Sequence, residues 1–118
     1  MTVQLTRDSS LLRIFIGEMD KYHHQSLYEA LVYAAKEQGV AGATVLRGIL
    51  SYGASSRIHT AKLLDLSFDL PVVVEIVDER EKIDTFLETA NQMIEESGGG
   101  ALITVEAAEV IHYKSKKG

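Results

Sequence analysis

Hydrophobic residues recur at every second position in some stretches of the chain and at every third or fourth in others. In Leu11–Gly17, residues Leu12, Ile14 and Ile16 share one side of an extended segment, while Leu11, Arg13 and Phe15 share the other. A first strand is predicted there, with apolar residues on both faces. Residues 18–25 are a polar connection. Ser26 and Glu29 then stand at capping-box spacing and open a helix whose apolar side carries Leu27, Leu31, Ala34 and Ala35, with Gly39 as its left-handed stop. Val40–Leu50 reads as a second strand interrupted by Gly42 and Gly48, and a glycine inside a strand marks a bulge or a close backbone approach. Pro71–Val77 is the third strand, Val72, Val74 and Ile76 alternating with Val73, Glu75 and Val77. Asp78 is the expected cap of a second helix, with Glu81 at the reciprocal position. Ile83, Phe86, Leu87, Ala90, Met93 and Ile94 keep helical spacing before the stop Ser97-Gly98-Gly99-Gly100. A fourth strand is predicted from Leu102 to Tyr113, bent at Ala107-Ala108.

The order strand, helix, strand, strand, helix, strand predicts an α+β, ferredoxin-like βαββαβ fold, an antiparallel sheet with both helices on one face. The other face would then carry Leu11, Phe15, Val73 and Val77, too apolar to leave in water. Arg13 and Glu75 fall on that same face and are placed to pair. The expectation is an oligomer that buries the second face. Residues 11–113 form one domain, preceded by a flexible arm (1–10) and followed by a basic tail (114–118).

Composition narrows the function more than the fold. At 118 residues a single core is the norm, and 46% hydrophobic with 25% charged residues is a globular balance. A net charge of -5 argues against a dedicated nucleic-acid binder, which needs concentrated positive charge. The chain has no cysteine, which removes thiolate catalysis and zinc–thiolate sites. No segment has the pattern of a signal peptide or a membrane span, so a cytoplasmic protein is expected.

The stretch that can carry chemistry is the polar loop between Ser51 and Lys62, which holds Gly53, Ser55, Ser56, Arg57 and His59. Arg57 is suited to a bidentate contact with phosphate or carboxylate, and long loops are where binding residues gather. Arg47, at the base of the loop, either points into the same cleft or pairs with a carboxylate. Gly98, Gly99 and Gly100 either converge their N–H groups on an anion or serve only as a helix stop. His23 and His24 are adjacent and share no helical face, so they make no metal pair; surface or helix-entry positions suit them better. Ser55 or Ser56 beside His59 is the sole nearby nucleophile–base combination, and no paired catalytic carboxylates or metal triad accompany it. The chain is read as a non-enzyme.

Five segments, LLRIFIGE, YHHQSLYEALV, AGATVLRG, YGASSRIHTAK and DLPVVVEIVDEREKI, resemble a family of small bacterial and archaeal proteins within the nitrogen regulatory PII-like superfamily. GASSRIHTAK, at Gly53–Lys62, is the most specific. The resemblance implies a homotrimer with its three sheets facing the centre and an adenine nucleotide in each inter-subunit cleft. It also implies phosphate contacts from the Ser51–Lys62 loop and from a glycine turn at Ser97–Ala101. Two departures stand out: Ser51-Tyr52 replaces the family's glycine-phenylalanine, and Ala101-Leu102 follows the glycines where PII proteins carry a lysine. The expected function is therefore non-enzymatic regulation through a small anionic ligand. The alternative is a ligand-independent interaction module, such as an accessory subunit of a membrane transporter or channel.

Overall fold

The computed structural model describes residues 7–54, 59–60 and 70–116, with only the backbone of 59–60. The elements in chain order are β1 (Asp8–Gly17), β2 (Lys21–Tyr22), β3 (Gln25–Ser26), α1 (Leu27–Glu37), β4 (Thr44–Arg47), β5 (Leu50–Ser51), β6 (His59–Thr60), β7 (Pro71–Asp78), α2 (Arg80–Ser97) and β8 (Leu102–Glu109). Four of the strands form one sheet in the order β4-β7-β1-β8, each neighbouring pair antiparallel. This is the ferredoxin-like arrangement, and the short pairs β2–β3 and β5–β6 are additions to it.

One face of the sheet builds the core. Leu12, Ile14 and Ile16 of β1 and Val72, Val74 and Ile76 of β7 are buried with Leu27, Leu31 and Ala35 of α1 and Ile83, Phe86, Ala90, Met93 and Ile94 of α2. The period-2 and period-3.6 patterns thus converge on a single apolar layer. On the opposite face the register lines up two cross-strand rows. One row is Leu46, Val73, Phe15 and Leu102; the next is Thr44, Glu75, Arg13 and Thr104. Leu46 and Leu102 are about half exposed, at 49% and 58%. Arg13 donates to Glu75 at 2.9 Å, the pairing anticipated from the alternation, and also bonds Glu106. Those two hydrogen bonds, Glu75 first, raise the guanidinium pKa above its ordinary value.

Several boundaries differ from the sequence expectation. β1 begins at Asp8, three residues into the supposed arm: Ser9 and Ser10 are buried, and the strand pairs with β8 as far as Glu109. β8 stops at Glu109 instead of Tyr113, whose hydroxyl donates to the Ala41 carbonyl at 2.7 Å. The second strand is reduced to Thr44–Arg47; at the next register position Gly48 N–H still donates to the Pro71 carbonyl at 2.8 Å, but proline has no N–H to return and the ladder ends there. A Cβ on Gly48 would lie 2.7 Å from Pro71 Cγ, the close approach that a glycine in a strand announces.

Neither expected capping box forms. Ser26 is the N-cap of α1 but makes no side-chain cap bond; it closes the β2–β3 hairpin opposite Lys21, and Leu27 N–H donates to the Asp20 carbonyl. The N-cap of α2 is Glu79, not Asp78. Asp78 remains in β7, fully buried, and its carboxylate accepts from Glu79 N–H at 2.7 Å and Ala41 N–H at 2.9 Å.

Candidate functional site

At one end of the open sheet face lies a groove of about 670 Å³, within the size range of small-molecule sites. Its floor is the last turn of β1, Phe15–Gly17, with Asp20 beyond it. One wall is Ser51–Ala54, the first residues of the polar loop, together with Pro71; the other is Gly100, Ala101 and Leu102 at the start of β8. The strand pairing explains the convergence. Phe15 is opposite Leu102 on one side and Val73 on the other, so the ends of β8 and β7 arrive at the same place as the end of β1. The β5–β6 pairing, Ser51 opposite His59, brings the loop's entry and exit together.

The residues named from sequence divide into three groups. Gly53 and Gly100 line the groove. Arg47 lies outside the lining and forms an ion pair with Glu18, a carboxylate of its own chain. Ser55, Ser56 and Arg57 lie outside the described residues, and for His59 only the backbone position opposite Ser51 is described.

The glycine turn is largely committed to ending α2. Gly98 adopts the left-handed conformation at φ 74° and its N–H donates to the Glu95 carbonyl; Gly99 N–H donates to Ser97 Oγ at 3.2 Å. Two of the three glycine donors are therefore used within the helix end. Gly99 has a second constraint: a Cβ there would stand 2.7 Å from Asp20 Oδ2. A side chain there would force the Asp20 carboxylate to shift.

Asp20 itself was not singled out by sequence. It closes a turn with Gly17, donating its N–H to the Gly17 carbonyl at 3.2 Å and accepting from Gly17 N–H through Oδ2 at 3.0 Å. The segment Gly17-Glu18-Met19-Asp20 carries the signal of a turn, since aspartate commonly bonds nearby backbone there. Nothing local in it shows that the turn borders a groove. His23 and His24 form the tip of the β2–β3 hairpin, His23 at φ 56° and 3.8 Å from Glu96. Neither lines the groove.

The model of the DUF190 family, described as "Uncharacterized ACR, COG1993", matches residues 9–110. A UPF0166 protein of Aquifex aeolicus is 47% identical over 102 residues, covering 86% of this chain and 92% of that protein. A UPF0166 protein of Methanocaldococcus jannaschii is 32% identical over 90 residues, covering 76% and 82%. Among solved structures, CPII of Thiomonas intermedia K12, a nitrogen regulatory PII-like protein bound to ADP, AMP and bicarbonate, superposes with a TM-score of 0.66. It is 16% identical, with 87% of this chain and 88% of CPII covered. CutA of Synechococcus elongatus gives a TM-score of 0.54 at 15% identity, covering 90% and 84%.

Proposed function

The chain belongs to the DUF190 family and has a PII-like fold, and from that premise we propose that it is a non-enzymatic regulatory protein. It assembles as a homotrimer through the open sheet face and binds a small anionic ligand, an adenine nucleotide, in the groove at each subunit boundary. One observation carries this reading. The groove sits where the apolar row of the open face ends, so a subunit packed on Phe15 and Leu102 would border it directly. The resulting cleft would have the Ser51–Ala54 segment on one side and Gly100–Leu102 on the other. Ligand bound there would bias the conformation of the loop that begins at Ser51, and a protein partner would read that bias. The adenine nucleotides bound by CPII make this ligand class the first to test. No helix among the described residues is long and apolar enough to cross a membrane.

The decisive measurement is thermal unfolding against ATP, ADP, AMP and adenosine. Ligand at 100 times its dissociation constant stabilises by about 2.7 kcal/mol, an upward shift of several degrees for a domain of this size. Arg57→Ala should reduce the shift for the nucleotides. A flat response to the whole panel would overturn the reading.

The second reading, a ligand-independent interaction module, draws on Ile49, Leu50 and Tyr52, which are 74%, 66% and 72% exposed around β5. Exposed apolar clusters commonly mark protein contacts. A membrane transporter or channel captured equally with and without nucleotide would favour it.

A further inference from the structure

We propose that Tyr52 recognises the base of the ligand: its ring stacks on the adenine, so that the groove holds a nucleotide by the base first and by the phosphates second. This rests on the reading of the groove as a nucleotide site and assigns the part of the ligand that the site grips. Among the described lining residues, Phe15 and Tyr52 carry the aromatic rings. Their positions differ. Phe15 lies within the apolar row of the open sheet face, between Val73 and Leu102, and is partly buried there. Tyr52 stands one residue beyond β5 and is 72% exposed, and its side chain has no hydrogen bond or ring contact with another described residue. Its exposed neighbours Ile49 and Leu50 lie outside the lining, which sets Tyr52 apart from the rest of that apolar patch.

The groove leaves room for a flat group beside that ring. Gly53 follows Tyr52 on one wall and Gly100 stands on the other, and a Cβ on either would meet nothing within 4 Å. Pro71, Ala101 and Leu102 add apolar surface around the same space. No lysine or arginine is among the described lining residues, and Arg47, at the base of the loop, is committed to Glu18. What these residues offer a ligand is therefore an aromatic face and apolar walls, not positive charge. A base has a π-face to lay against a tyrosine ring, and such stacking is a principal source of affinity where bases are held without hydrogen-bond readout. A phosphate chain has no such face. The lining that sequence reading searched for a phosphate cradle is better suited to the other end of the nucleotide.

The test exploits a chain that contains no tryptophan. Tyr52→Trp places a single new fluorophore at the proposed contact, and Tyr52→Leu removes the aromatic face while keeping an apolar side chain. Adenosine, AMP, ATP and, as a probe without a base, tripolyphosphate are titrated into the wild type and both variants by calorimetry, and into Tyr52→Trp by fluorescence. Each adenine ligand should quench the Tyr52→Trp emission, and tripolyphosphate should leave it unchanged. Tyr52→Leu should bind all three adenine ligands about tenfold more weakly than the wild type, by a similar factor for each, whereas Tyr52→Trp should bind them at least as tightly. Both variants should keep the wild-type circular dichroism spectrum, since Tyr52 is exposed and outside the strands. Wild-type affinity in Tyr52→Leu, or an emission that stays constant while calorimetry shows the Tyr52→Trp site filled, would overturn the proposal and leave the nucleotide site standing. Tripolyphosphate binding as tightly as ATP would also overturn it, by giving the grip to the phosphates. If the wild type binds none of the adenine ligands, the reading of the groove fails and the proposal with it.

Discussion

Asp78 has the most demanding position of any charged residue described. It is fully buried, and its two oxygens are used by different parts of the chain: Oδ1 by Glu79 at the start of α2, Oδ2 by Ala41 in the segment leading to β4. A carboxylate in that setting is stabilising only while both donors remain. Alanine would strand two backbone N–H groups at the junction of strand, helix and loop, where each unsatisfied donor costs about 1–3 kcal/mol. Asp78→Ala should therefore lose about 2–4 kcal/mol in urea unfolding, with Asp78→Asn losing less because one oxygen is kept. The sequence pointed to Asp78 but to a different task. Its position before a helical pattern predicts a cap, whereas the bond to Ala41 joins residues 37 apart and has no local signature. Asp20 is the same case at the groove: the turn it closes is legible, and its place in the groove lining is not.

At the scale of elements, what was legible follows from what is periodic. β1, β7 and α2 came out close to expectation because alternation or 3.6-residue spacing runs through most of their length, and from Leu11 onward in β1 burial follows that pattern. Val40–Leu50 is equally apolar and yet places only Thr44–Arg47 in the four-stranded sheet, its last residue, Leu50, pairing instead in the separate β5–β6 ladder. Its extent depends on how far β7 runs alongside, and that is decided by where Pro71 interrupts the ladder. The end of α2 shows the same division. Glycine after a helical stretch predicts a left-handed stop, and Gly98 supplies it at φ 74°. The separate reason for Gly99, its contact with Asp20, is tertiary and could not be read. These two glycines should respond differently to alanine. Gly98→Ala forces a Cβ into left-handed backbone with open space around it, a cost of about 1 kcal/mol measurable as a small fall in melting temperature with ligand binding unchanged. Gly99→Ala collides with the Asp20 carboxylate and should alter binding in the groove as well.

For the molecule as a whole, the open face of the sheet is the feature that an isolated subunit leaves unexplained. Leu46, Val73, Phe15 and Leu102 make a continuous apolar row, and its outer members are half exposed. Beside it, Arg13 is already engaged by Glu75 and Glu106, so its charge would enter an interface with its hydrogen bonds made. That lowers the penalty that burial places on an unpaired charge. Polar and apolar rows together therefore describe a surface prepared to be covered, and the proposed self-association into a trimer would supply that cover. Phe15→Asp would introduce a carboxylate with no donor facing it in the same row, while the core face of β1, Leu12, Ile14 and Ile16, stays untouched. In sedimentation velocity the wild type should run as a trimer of the 13.0 kDa chain, and Phe15→Asp as a monomer with an unchanged far-ultraviolet circular dichroism spectrum. The variant should also lose ligand-induced stabilisation, because the groove begins at Phe15 and its second wall would leave with the neighbouring subunit. A wild type that is monomeric at micromolar concentration, or a Phe15→Asp trimer, would separate the groove from assembly and leave it a site within one subunit.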